Sequence, residues 1–241
     1  MSRLRGMRRR GSLAPITHLR WLIMPEGASS LEQAAPIKAL LTATLDGRAD
    51  WYLGYLSALA DHGLTDIDPE AVYIAVKGTR VSLGRTLGAT PINVVRQRED
   101  ADWTGVERER ITGRVFAYRS GVAHTLLDTL EHPRRCGPAE IWVRAWERAM
   151  REQRVSDHDL VDLSETRSQV VQARLAFWLR EMGHPRSARR IMRAIGGPLK
   201  GPRLLDSARS FGDGPWKRDR ETGLMLNLPE ATVDAWLEYG K

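Results

Sequence analysis

Hydrophobic and polar positions alternate with two different periods along this chain. The clearest stretch is "DWYLGYLSALADHGLTDIDPEAVYIAVKG", residues 50–78. Tyr52, Tyr55, Leu56 and Leu59 recur at three- and four-residue spacing, which predicts a helix with one apolar face, capped by Asp50 and stopped at Gly63. Asp68-Pro69 then turns the chain. "AVYIAVK" alternates, with Val72, Ile74 and Val76 on one side and Tyr73, Ala75 and Lys77 on the other, and reads as a strand against which the tyrosine helix packs.

The same reading extends in both directions. "HLRWLIM" predicts a strand after a turn at Gly11-Ser12, and Pro36–Asp46 predicts a helix with proline in its first turn. "TPINVVRQ" predicts another strand, and "ERERITGRVFAY" a hairpin turning near Thr112-Gly113. Helices follow: "GVAHTLLDTLEHP", capped by Ser120; "PAEIWVRAWERAMREQ", with Ile141, Ala145 and Met150 among its apolar positions; one capped by Ser156; and "QVVQARLAFWLREMG". In the last of these Val171, Leu175, Trp178, Leu179 and Met182 line one side, and Gly183 ends it. "SARRIMRAIGG" is short, basic and glycine-stopped, and "GPWKRDRETGLMLNLP" predicts a terminal hairpin. The expected class is α+β, a small, mostly antiparallel sheet packed by helices and followed by a helical half. The expected divisions are a basic hairpin over 1–27 and one domain over 28–241, with a sheet-containing part to 119, a helical part over 120–200 and a terminal hairpin over 201–241.

Charge changes this picture. The formal net charge is +7. Arg3, Arg5, Arg8, Arg9, Arg10 and Arg20 lie in the first 25 residues, which contain no acid. A second acid-free stretch, His184–Arg203, holds Arg186, Arg189, Arg190, Arg193, Lys200 and Arg203, so the remainder of the chain is net acidic. Arginine clustered without interleaved acid is the footprint of a phosphate-facing surface. The first cluster is the expected DNA-binding segment, and Arg186, Arg189, Arg190, Arg193 and Lys200 form a candidate second basic patch. The alternative for both is a solvated arginine-rich face.

Little else carries chemistry. The single cysteine, Cys136, excludes an intramolecular disulfide and a multi-thiolate zinc site, so a reducing cytoplasm is the expected compartment. No run of apolar residues is long enough to span a membrane. His124, Asp128 and His132 recur every four residues and could face one metal ion, but Leu126, Leu127 and Leu130 mark the apolar side and leave the three facing water or the helix end. Gly196–Gly201 lacks the ordered spacing of a phosphate-binding loop. No nucleophile elbow occurs, and Cys136 reads as structural. No cofactor and no catalytic residue is expected.

The order of motifs is similar to that of the AbiEi antitoxin family, the regulatory half of AbiE-type toxin–antitoxin systems. "YLGYLSALADHGLTDIDPEAVYIAV" resembles that family's helix–linker–strand pattern, "INVVRQ" and "ERITGRVFAYRSG" its paired strands, and "AHTLLDTLEHP", "QARLAFWLREMG" and "GPWKRDRETGLMLNLP" its later segments. His124 departs from the pattern, standing where the family has arginine. "HLRWLIMPEG" looks like the wing strand of a winged helix-turn-helix, and "RLRGMRRRG" like the end of its recognition helix. The first two helices of that head have no counterpart, which implies either a start further upstream or a truncated reader. The resemblance implies a non-enzymatic antitoxin that represses its own operon at inverted repeats of operator DNA and opposes a nucleotidyltransferase-like toxin, with direct toxin contact left open. The alternatives are a truncated antitoxin without DNA binding and a metal-dependent nuclease built on His124, Asp128 and His132.

Overall fold

A computed structural model describes residues 13–16, 21–45, 50–78, 85–112, 115–209 and 216–228. The chain divides into two compact units that share it in alternation. The first takes the chain to Leu53, then Pro69–Ala101 and Val106–Arg119. The second takes Gly54–Asp68, Asp102–Gly105 and the chain from Ser120 onward.

The first unit opens with a two-stranded antiparallel sheet, β1 (Leu13–Pro15) with β2 (Trp21–Ile23), in which Leu13 faces Ile23. The expected strand over "HLRWLIM" contains β2; the turn expected at Gly11-Ser12 lies outside the described residues. Two short helices follow. In α1 (Leu31–Ala34) the Ser30 side chain accepts from the Gln33 N–H, and α2 (Ile37–Thr44) begins immediately after Pro36. Thr42 and Thr44 return their hydroxyls to carbonyls one turn back, those of Lys38 and Leu40.

The main sheet has six strands, in the order β5 (Thr86–Leu87), β6 (Thr90–Gln97), β4 (Val72–Lys77), β3 (Trp51–Leu53), β8 (Val115–Ser120), β7 (Val106–Thr112). The α+β class holds. The sheet is more mixed than expected: β3–β4 and β5–β6 are antiparallel, but β3–β8 and the six-pair ladder β4–β6, with Val72 opposite Ile92 and Lys77 opposite Gln97, are parallel. The core joins Leu40, Leu41 and Leu45 to Trp51, Leu53, Ile74, Val76 and Ala117. Ala14, Ile16, Leu22 and Met24 pack against it, so the hairpin before residue 28 and the sheet after it share one core.

The 50–63 expectation is corrected at its start. Residues 51–53 are strand β3, buried at all three positions, and the helix α3 is shorter, Tyr55–Asp61. Asp50 does not cap it; Gly54 occupies the cap position. Three consecutive buried residues suit the middle strand of a sheet covered on both faces, where apolar runs replace alternation. Tyr55 stands at φ 58°, a conformation rarely adopted by a bulky residue, and it is there that strand gives way to helix. The α3 helix belongs to the second unit and packs on a helix there.

The second unit is otherwise helical: α4 (Val122–Glu131), a 3₁₀ turn (Pro133–Arg135), α5 (Ala139–Arg151), α6 (Asp157–Ser164), α7 (Gln169–Glu181) and α8 (Pro185–Ala194). Three short strands follow. β11 (Leu224–Leu226) lies between β10 (Lys217–Arg218), antiparallel, and β9 (Arg203–Leu204), parallel.

Ser156 caps α6 as expected, in a reciprocal box with Asp159. Ser120 does not cap α4. It ends β8, and its carbonyl accepts from His62 Nε2 at 2.7 Å. The buried stripe of α5 is Trp142, Val143, Ala145, Trp146 and Ala149, with Ile141 and Met150 at its margins. On α7, Val171, Leu175, Trp178 and Leu179 are buried as their spacing predicts, and Trp142 meets Trp178 edge-on at 5.5 Å. Gly183, at φ 86°, ends the helix.

Candidate nucleic-acid interface

Arg3, Arg5, Arg8, Arg9, Arg10 and Arg20 lie outside the described residues. The second basic patch lies within them, and its helix explains how it forms. In α8, Ala188 and Ile191 are buried against the rest of the unit. Arg186, Arg189, Arg190 and Arg193 fall at three- and four-residue spacing on the remaining circumference and are exposed. Pro185 starts the helix at its first turn. The first turn is anchored by Asp157 of α6, whose Oδ2 accepts from Ser187 Oγ at 2.6 Å and lies 3.4 Å from His184 Nδ1. The Ser187 hydroxyl leads the causes that hold the Asp157 carboxyl below the usual range.

The four arginines of α8 are not equivalent. Arg190 reaches Asp162 at 3.0 Å and Glu165 at 3.4 Å, so part of its charge is answered within the protein. Among the described residues, no carboxylate lies within ion-pair distance of Arg186, Arg189 or Arg193. Lys200 is exposed in the loop beyond the helix. Arginine number is not what sets this face apart. The groove of about 730 Å³ beside α5 also carries arginines, but Arg144, Arg148 and Arg151 pair there with Glu140, Glu152 and Glu147. That surface has no unanswered positive row.

A cleft of about 560 Å³ lies beside α8, lined by Arg180, Pro185, Arg189, Met192, Arg193, Gly196, Gly197 and Glu221. Arg180 was invisible to charge-run reasoning because Glu181 follows it and breaks the run. Its guanidinium is held by Asp219 at 3.1 Å, by Glu181 at 2.8 Å and by Glu221 at 3.3 Å. The Thr222 hydroxyl in turn donates to Asp219 at 2.6 Å. Beyond the helix, Gly196 and Gly197 take φ of 83° and 98°, and their N–H groups close the helix end on Arg193 and Met192.

The proposed metal trio is not one cluster. His124 and Asp128 meet, with Nε2 and Oδ1 3.4 Å apart, both fully buried. His132 instead lies edge-on to Tyr55, with ring centroids 5.7 Å apart, and its burial lowers its pKa. The residue beside His124 and Asp128 is Arg167, from the loop between α6 and α7. It donates to His124 Nε2 at 2.9 Å, lies 3.5 Å from Asp128 Oδ1 and pairs with Glu131. A guanidinium therefore stands where a metal ion would need to bind. Among the described residues no group of three or more histidine, cysteine, aspartate or glutamate side chains could hold a metal ion.

His124 Nδ1 lies 2.8 Å from the Thr104 carbonyl, which fixes the Nδ1–H tautomer and leaves Nε2 to accept from Arg167. Burial raises the Asp128 carboxyl above its ordinary range. Cys136 is buried, and burial pushes its thiol well up, which suits the structural role read from the sequence.

Two further buried polar residues escaped the sequence reading. Arg174, in the middle of the apolar α7, donates to the Leu130 carbonyl at 2.6 Å and the Leu204 carbonyl at 3.0 Å, tying α4 and β9 to α7. His62, at the C-terminus of α3, gives Nε2 to Ser120 and offers its carbonyl to Arg154 at 2.6 Å. No helix among the described residues is long and apolar enough to cross a membrane.

No family model matches the chain, and no curated protein matches it. Among solved structures, the chain is similar over its whole length to the crystal structure of the RV2827C protein from Mycobacterium tuberculosis, covering 83% of that chain at 21% identity with a TM-score of 0.70. At that identity the likeness is one of fold: the α+β arrangement described above is shared with the mycobacterial protein.

Proposed function

We propose that this chain is a cytoplasmic, non-enzymatic antitoxin and transcriptional autoregulator of a toxin–antitoxin operon. It grips operator DNA with its arginine-rich N-terminal segment and opposes a nucleotidyltransferase-like toxin. Arg186, Arg189 and Arg193 supply a second, phosphate-facing row.

The observation that carries the DNA-binding part is the row of α8 arginines with no carboxylate within reach among the described residues. Polyanion binding needs cations whose counterions are free to be released, and internally paired arginines do not qualify. The antitoxin part is supported by the order of the AbiEi-like motifs along the chain. The occupation of the His124–Asp128 site by Arg167 argues against a metal-dependent nuclease.

The test is a gel-shift titration of the full chain on the DNA upstream of its own gene, at about 50 and 200 mM salt. It is joined to growth rescue on co-expression with the adjacent toxin. Binding that weakens by orders of magnitude with salt, together with rescue, is the expected result. Rescue without operator binding would leave an antitoxin that does not regulate. Absence of both operator binding and rescue would overturn the reading.

A further inference from the structure

We propose that the cleft beside α8 is a binding site for a nucleoside phosphate, a reading that rests on the phosphate-facing row to which Arg189 and Arg193 belong. Three features of its wall point to that chemistry. Arg189 and Arg193 stand one helical turn apart, facing one volume, and no carboxylate within reach among the described residues neutralises either. Two guanidinium forks at that spacing can chelate a phosphate through paired N–H groups, which is the geometry arginine offers and lysine does not. Pro185 and Met192 line the same cleft and give an apolar surface for a flat ring, with methionine adapting to its outline.

The third feature is Arg180 with Glu221. Arg180 is held in place by Asp219, Glu181 and Glu221, so it acts as a rigid wall. Glu221 lines the cleft and is largely exposed. It retains capacity to accept from a ribose hydroxyl or an exocyclic amine. Gly196 and Gly197 complete the lip with backbone alone; a Cβ at either position would meet nothing within 4 Å. The volume of about 560 Å³ falls within the range of small-molecule clefts. A polyanion track alone does not account for apolar lining residues and an acid beside the arginines. The phosphate can arrive on a free nucleotide or on the 5′ end of a strand.

The experiment is isothermal titration of the full chain with AMP, ATP, inorganic phosphate, and one short single strand with and without its 5′-phosphate. The test variant is Arg189→Glu with Arg193→Glu. The control is Arg186→Glu with Lys200→Glu, an equal charge change outside the cleft lining. The expected result is one equivalent of mononucleotide bound by the unaltered chain, weakened about tenfold or more in the test variant and about twofold or less in the control. Preference for the phosphorylated strand over the free nucleotide assigns the source as a strand end, and the reverse assigns a free nucleotide. Absence of mononucleotide binding, equal loss in both variants, or inorganic phosphate binding as tightly as AMP would each overturn the proposal. Gel shifts with the unaltered chain read operator binding in a separate assay, so the nucleotide site and the regulator can fail separately.

Discussion

Arg167 donates a hydrogen bond to Nε2 of His124 at 2.9 Å, and the same guanidinium stands 3.5 Å from Asp128 and pairs with Glu131. A single cation from an inter-helix loop thus serves three acceptors on α4. Asp128 is fully buried and its Oδ2 has no hydrogen-bond partner, so it depends on that cation. Arg167→Ala leaves an uncompensated buried carboxylate and is expected to cost about 3 kcal/mol. Arg167→Lys should recover less than half of that, because a point charge cannot address three separate acceptors. Urea unfolding midpoints at constant slope measure both. An unchanged midpoint in the alanine variant would refute the arrangement.

The loop that holds His124 from its other side is expected to respond to acid. The backbone N–H of Thr104 leads the groups that hold the Asp102 carboxyl down at about 2, followed by the hydroxyls of Thr166 and Thr104. Its folded pKa lies below the ordinary value, so its contribution is fully present above about pH 4 and fades as pH falls toward 2. The effect is small because the group faces solvent. Stability measured against pH for Asp102→Asn should lack this segment of acid dependence. Parallel curves for variant and parent between pH 5 and 2 would show that the carboxylate makes no such contribution.

The correction at residues 51–53 has its own test. Trp51 is fully buried in β3, and Trp51→Ala should cost about 4 kcal/mol. Gln97 Nε2 donates to the Tyr52 hydroxyl at 3.1 Å, so Tyr52→Phe should cost about 1 kcal/mol. In a helix beginning at Asp50, Tyr52 and Gln97 would have no reason to be coupled. A double-mutant cycle giving zero interaction energy would therefore speak against the strand.

Two glycines separate conformational strain from collision. Gly183 and Gly223 both take positive φ, 86° and 75°. A Cβ on Gly183 meets nothing within 4 Å, whereas one on Gly223 would stand 2.4 Å from the Leu199 carbonyl oxygen. Gly183→Ala should cost about 1 kcal/mol, the price of the left-handed helix end. Gly223→Ala should cost clearly more, since backbone must move. Equal losses in thermal melting would mean that the loop over Leu199 yields without resistance.

The sequence made the periodic elements readable because their periodicity is local. Val72, Ile74 and Val76 on β4, and Leu175, Trp178 and Leu179 on α7, are buried as their spacing implies. The Ser156 cap and the Gly183 stop are decided within a turn of chain. β3 was missed because a doubly covered strand of three residues has no alternation to reveal it. The pattern Tyr52, Tyr55, Leu56, Leu59 runs across a strand–helix junction and imitates one helix. The partner of His124 was missed for a different reason. Arg167 lies far along the chain, in a loop, and no local pattern links it to α4. Sequence spacing put His124, Asp128 and His132 on one face but could not say that a guanidinium would meet the first two while the third turned to Tyr55. The α8 arginine row was legible as charge; which arginines stay unanswered was not, since Asp162 and Glu165 come from α6 and the residue that caps its end.

The chain changes unit after Leu53, Asp68, Ala101, Gly105 and Arg119. Neither half is therefore a cassette. A truncation that spares the helices after Ser120 still removes α3 and the Asp102–Gly105 loop, and with them His62 and the Thr104 carbonyl that His124 holds. Swapping the arginine helix into another background would mean carrying three separated pieces of polypeptide, so evolution can retune its surface more easily than it can transplant it.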